Sequence, residues 1–232
     1  IYMSGGTFGI SGGTISNSSG AQKGGALYLG GTGTVNVSGG NIIGNNVTEY
    51  GGAIYMTGGK FTISGGNMAN NTAAENGAAV YLAGTGEVLV NGGSITGAQD
   101  RNVEAIYMAG GEFTMTGGRI ADFKGERCGA VNMADGTFTM TNGTIDNCSG
   151  TGSGAVYMSG GEFQISGGTI SNCSGTNGGA VYLAGTGTLT INGGTIKDNA
   201  AATHGGAIYL TNGTFNMTAG KVEANTSHGG NG

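Results

Sequence analysis

The segment Ala-aliphatic-Tyr-(Met/Leu) recurs every 25 to 27 residues along almost the whole chain. Ala26, Ala53, Ala79, Ala105, Ala130, Ala155, Ala180 and Ala207 each open one copy, and Ile1-Tyr2-Met3 is the tail of an earlier opening. A period of this size means stacked supersecondary units, each unable to bury its apolar face alone. It overrides the length prior for 232 residues, which would allow one or two globular domains. The expectation is one continuous array over residues 1–232, cut from a longer one.

Each copy contains three short apolar runs. Counting the opening Ala as zero, positions +1 (Leu27, Ile54, Val80) and +3 (Leu29, Met56, Leu82) mark one face of a first strand. A second alternating run follows a Gly-rich turn, as in Phe61-Thr62-Ile63-Ser64 and Phe138-Thr139-Met140-Thr141. A third, shorter run follows another Gly-Gly, around Ile42, Met68, Ile95, Ile120 and Ile145. No segment has a 3.6-residue period. The pattern therefore predicts an all-β right-handed parallel β-helix of about nine rungs, with three short strands per rung. At roughly 4.8 Å per rung the stack is about 40 Å long.

Glycine suits the corners, where φ > 0 is needed, and the chain has 55 glycines and no proline. The copies opening at Ala26, Ala79 and Ala180 carry an extra residue in the first turn, and each replaces the following Phe with Val35, Val88 or Leu189. A longer corner and a smaller core side chain change together, as close packing requires. A further column, Ser18, Asn45, Asn71, Ala98, Phe123, Cys148, Cys173, Asn199 and Asn225, reads as an inward corner in which stacked Asn side chains bond along the stack. Cys148 and Cys173 share this column on adjacent rungs and read as buried thiols, while Cys128 belongs to another corner. Three cysteines make no disulfide framework.

Alternation turns a column of tyrosines away from the core: Tyr2, Tyr28, Tyr55, Tyr81, Tyr107, Tyr157, Tyr182 and Tyr209, with Asn132 the one exception. Such a stripe suits sugar rings or a partner protein, and equally a self-stacking ladder that stiffens the sheet. The Thr-x-Thr positions of the second strand are interrupted by Lys60, Glu87, Glu112 and Glu162, so they lack the regularity of an ice-binding lattice. Charges crowd into one stretch, Asp100, Arg101, Glu104, Glu112, Arg119, Asp122, Lys124, Glu126, Arg127 and Asp135. The same stretch loses the Gly-Gly before Ala105 and the Tyr at Asn132. Broken rules in a regular repeat mark candidate functional places; here the charges are expected to form one self-neutralising surface patch.

Catalysis is not expected. Asp122 and Asp146 fall on adjacent rungs of the third strand, but no Arg or Lys stands at a matching strand position. His204 and His228 read as loop residues without acidic company, so neither a metal nor a cofactor is expected. The net charge of −5, with no Lys/Arg run, argues against nucleic acid. No apolar stretch is long enough to insert in a membrane.

Gly-Gly-Ala-(Ile/Val/Leu)-Tyr, seen at Gly24–Tyr28, Gly51–Tyr55, Gly178–Tyr182 and Gly205–Tyr209, resembles the repeats of adhesin-like β-helix surface proteins. These are large bacterial and archaeal proteins, with the chlamydial polymorphic outer-membrane proteins as relatives in this motif. The resemblance covers the whole chain and implies a secreted, surface-displayed, non-enzymatic segment. The expected role is a stalk or display element in adhesion or fibre building, facing a host or polysaccharide surface. A carbohydrate-binding module using the Tyr stripe is the alternative, and a polysaccharide-degrading enzyme comes third. The first and last copies look like the middle ones, so end-to-end self-association or further repeats are expected to continue the stack.

Overall fold

The structure, a computed structural model, describes residues 1–97 and 102–229. Its first ladder is a nine-stranded parallel sheet in strict sequence order, from Tyr2–Met3 through Ile54–Met56 and Val131–Met133 to Ile208–Leu210. Neighbouring strands in it pair the same repeat positions, for example Val80 with Ile106 and Leu82 with Met108. The second and third runs of each rung form one 14-stranded sheet. In some rungs the two runs remain separate, as in Lys60–Ile63 and Asn67–Ala69. In others they join into one ten-residue strand, as in Glu112–Ala121 and Thr137–Asp146. The all-β parallel solenoid read from the repeat is the observed architecture.

The structure adds a fourth short ladder to the three expected strands. It comprises three strands, Ala21–Lys23, Asn46–Tyr50 and Thr72–Ala73, and a second group of five running from Lys124–Gly125 to Thr226–Ser227. Some of these strands have only two residues, too few to display an alternation, and they are built largely from Ser, Gly, Ala and Thr. Their backbones nevertheless stack from rung to rung, as in Ser149 against Ser174.

A single apolar core runs the length of the stack. Phe61, Phe113, Phe138 and Phe163 are fully enclosed, and the Phe113, Phe138 and Phe163 rings stack at 4.4 and 4.3 Å. Val35 and Val88 flank Phe61 in register, one on each side. The smaller residues of the long-corner copies therefore share a column with the phenylalanines, as their covariation requires. The end rungs have one core face uncovered: Ile1, Leu210, Phe215, Met217 and Val222 are all exposed.

Two backbone devices set the corners. Gly66, at φ 78°, sits where a Cβ would lie 2.6 Å from the Gly40 carbonyl oxygen of the neighbouring rung, so no side chain can replace it. Before the corner column the chain turns left-handed again, at Asn17, Asn70, Asp122, Asn147, Asn172, Asp198 and Ala224. Asn and Asp tolerate this conformation; alanine gains nothing there. The next residue points inward. Asn45 Nδ2 donates to Asn71 Oδ1 at 2.9 Å and to the Ile15 carbonyl at 3.2 Å. Asn199 Nδ2 likewise donates to Asn225 Oδ1 at 2.9 Å. Cys148 and Cys173 interrupt this ladder, both buried and close enough for a thiol–thiol contact that helps push the Cys148 thiol well up. Ala98 of the same column lies outside the described residues.

Candidate functional site

The tyrosine column points away from the core, as alternation requires, and its rings pack against one another along the stack. Successive rings approach at 5.3, 5.0, 5.3 and 4.8 Å from Tyr2 through Tyr28, Tyr55 and Tyr81 to Tyr107. The fourth ladder leans over them. Tyr50 contacts Tyr81 at 4.7 Å, and the Lys23 ammonium lies 5.2 Å from the centre of the Tyr55 ring. Tyr55 is only 8 % exposed, and burial, with Tyr107 and Tyr50 nearby, pushes the Tyr81 hydroxyl up to about 12. Beyond the break the ladder resumes, with Tyr157 and Tyr182 edge-to-face at 5.3 Å and Tyr182 and Tyr209 at 5.0 Å. A sugar needs an open ring face on which to stack, and from Tyr55 through Tyr81 to Tyr107 the faces stack on one another.

The break occurs at Asn132, which takes the tyrosine's place in register between Tyr107 and Tyr157. Its short side chain leaves a pocket of about 410 Å³ lined by Glu75, Asn76, Glu104, Tyr107, Glu126, Arg127 and Asn132, among others. Asn132 is 3 % exposed and its Oδ1 has no hydrogen-bond partner. Such an orphaned buried acceptor is rare in folded proteins. Tyr107 stacks on Tyr81 through one face and has Asn132 as its neighbour on the other side. The Arg127 guanidinium rests 5.6 Å from the centre of the Tyr157 ring.

Glu104 is the second departure at this place. It holds the position just before the opening Ala, where glycine stands in six of the eight rungs. Its side chain is enclosed, at 3 % exposure, and the Gly77 N–H donates to its Oε1 at 3.2 Å. Burial pushes the carboxyl up to about 7, against the pull of the backbone donors and of Arg127. Glu75, nearer the rim, accepts a bond from the Tyr50 hydroxyl.

Among the described residues, the charged stretch is divided between a pocket, a groove and a corner. Glu104, Glu126 and Arg127 converge on the pocket. Lys124 lies in a neighbouring groove of about 660 Å³ lined mostly by small residues of the fourth ladder. Asp122 belongs to another corner, where Arg119 Nη1 approaches its Oδ2 at 3.4 Å. Asp100 and Arg101 lie outside the described residues.

Two readings of the sequence need correction. Asp122 lies in the corner just after the strand, not on it, and Arg119 reaches both it and Asp146, because it stands two residues before Ala121, which pairs with Asp146; Arg119 Nη2 meets Asp146 Oδ2 at 2.7 Å. His204 ends a strand, Ala200–His204, and stacks on Tyr209 at 5.5 Å. The pocket itself was missed as a pocket, although both of its signals, Asn132 in the Tyr column and Glu104 in the Gly column, are visible in the repeat.

Neither the curated proteins nor the solved structures compared with this chain yield a match. The family model described as "Right handed beta helix region" matches residues 63–222, well over half of the chain. The fold is shared by structural proteins and by polysaccharide-cleaving enzymes, so membership leaves activity to be argued from the residues. On the stacked parallel ladders, the continuous core and this match, the chain belongs to the right-handed β-helix family.

Proposed function

We propose that this chain is a rigid display segment of an extracellular, adhesin-like surface protein, working in adhesion or fibre building rather than in catalysis. The observation that carries this reading is the first ladder, in which nine strands pair in order and in register. A rod of that kind resists bending and repeats one lateral surface along its length. The Gly-Gly-Ala-Ile-Tyr repeats, which resemble those of adhesin-like surface proteins, support the same location.

Antibodies raised against the folded segment test the reading. They should label intact, unpermeabilised cells that express the parent protein, and the segment should block attachment of those cells to their surface. Labelling only after permeabilisation would overturn it.

A further inference from the structure

We propose that the break in the tyrosine ladder is a binding site for an organic ammonium group, held between Glu104, the Asn132 amide oxygen and the free face of Tyr107. The lining fits a donor-rich cation. Glu75, Glu104 and Glu126 supply three carboxylates, against one guanidinium from Arg127. Asn132 Oδ1 is buried and has no partner, and an ammonium carries three donors and no acceptor to conflict with it. Tyr107 offers the ring face turned away from Tyr81, and a cation over an aromatic face is attracted by its quadrupole.

A chelated metal fits less well. Among the described residues no three His, Cys, Asp or Glu side chains gather closely enough to hold one. A neutral sugar would satisfy Asn132 but leave the excess negative charge unanswered. A volume of about 410 Å³ admits one amino-sugar ring or the end of a lysine side chain. Both present the same ammonium, and the experiment separates them.

Proton linkage gives the site a signature. Without ligand, Glu104 is about half protonated near pH 7. The groups around it are Glu75, Glu126, Arg127 and Tyr107 in the pocket and the buried Cys128 thiol behind. A bound cation favours the carboxylate, so affinity should rise with pH through about 7 and binding should release a proton. A lysine ammonium stays charged across this range, with a pKa near about 10.4.

The test is calorimetric titration of the whole chain with Nα-acetyllysine methylamide, its Nε-acetylated form, glucosamine and N-acetylglucosamine. Expected is binding of one or both amines, weakened about ten-fold or more by acetylation and, for the lysine probe, whose ammonium stays charged, by lowering the pH from 8 to 5. Preference between the two amines identifies a peptide or an amino-sugar source. Asn132→Tyr, which refills the ladder, should abolish binding while circular dichroism stays unchanged. Glu126→Gln, at the exposed rim, should weaken binding without affecting folding. Equal binding of the acetylated probes, binding that survives Asn132→Tyr, or no binding of either amine at millimolar concentration would each overturn the proposal.

Discussion

Asn132 Oδ1 and the Glu104 carboxyl are buried polar groups at one break in the tyrosine ladder. Leaving an acceptor buried and unpaired costs about 1–3 kcal/mol. Asn132→Tyr removes it and restores ring stacking with Tyr107 and Tyr157, so the variant should be more stable by about 1–2 kcal/mol. Urea unfolding with unchanged slope checks this, and a lower midpoint would mean that the gap is too narrow for a ring. Glu104 makes a second, pH-dependent prediction. Its folded pKa is raised from 4.5 to about 7, so the folded state holds the proton more tightly than the unfolded state. Its contribution is therefore fully present below about pH 4.5 and lost as pH rises through about 7. The loss is about 3 kcal/mol. Comparing wild type with Glu104→Gln between pH 4 and pH 8 isolates it, because the difference between the two chains should vanish at the acid end. Both residues were legible as exceptions to the repeat. Their convergence was not, because it depends on the height of one corner relative to the next rung, and that height is set by backbone pairing rather than by residue type.

At the scale of the element, the ladders read from alternation are the ladders observed, since a two-residue period fixes which side chains face the core. The fourth ladder escaped because strands as short as Ser149–Gly150 have no period to read. The left-handed corner residues escaped for a different reason. Asn and Asp occur in many turns, and only their recurrence just before the inward column, as at Asn70 and Asn147, ties them to a positive φ. Ala224 breaks that rule, at φ 53°. Ala224→Asn should stabilise the last corner by about 0.5–1 kcal/mol, because Asn visits this conformation at lower cost. Thermal unfolding with an unchanged dichroism spectrum is the measurement. A fall in melting temperature would show that the Ala224 methyl is needed for packing at this end.

At the scale of the molecule each rung touches only its neighbours, so stability should behave as a sum of rung and interface terms. Because Ala130 and Ala155 hold the same position in successive copies, removing residues 130–154 joins Gly129 to Ala155 in register. The shortened chain should fold, lose about 4.8 Å of length and bring Tyr107 directly against Tyr157, closing the break. Removing only residues 130–141 should instead unfold it, because the first ladder would be forced against the third and every inward column would lose its partner. Dichroism reports folding, and small-angle scattering reports the length. Whole-rung deletion that unfolds the protein, or half-rung deletion that leaves it folded, would mean that the rungs are not interchangeable units. The whole-rung variant also lacks Asn132, so it should fold yet fail to bind an ammonium ligand, which separates the function of the rod from the function of its one interruption.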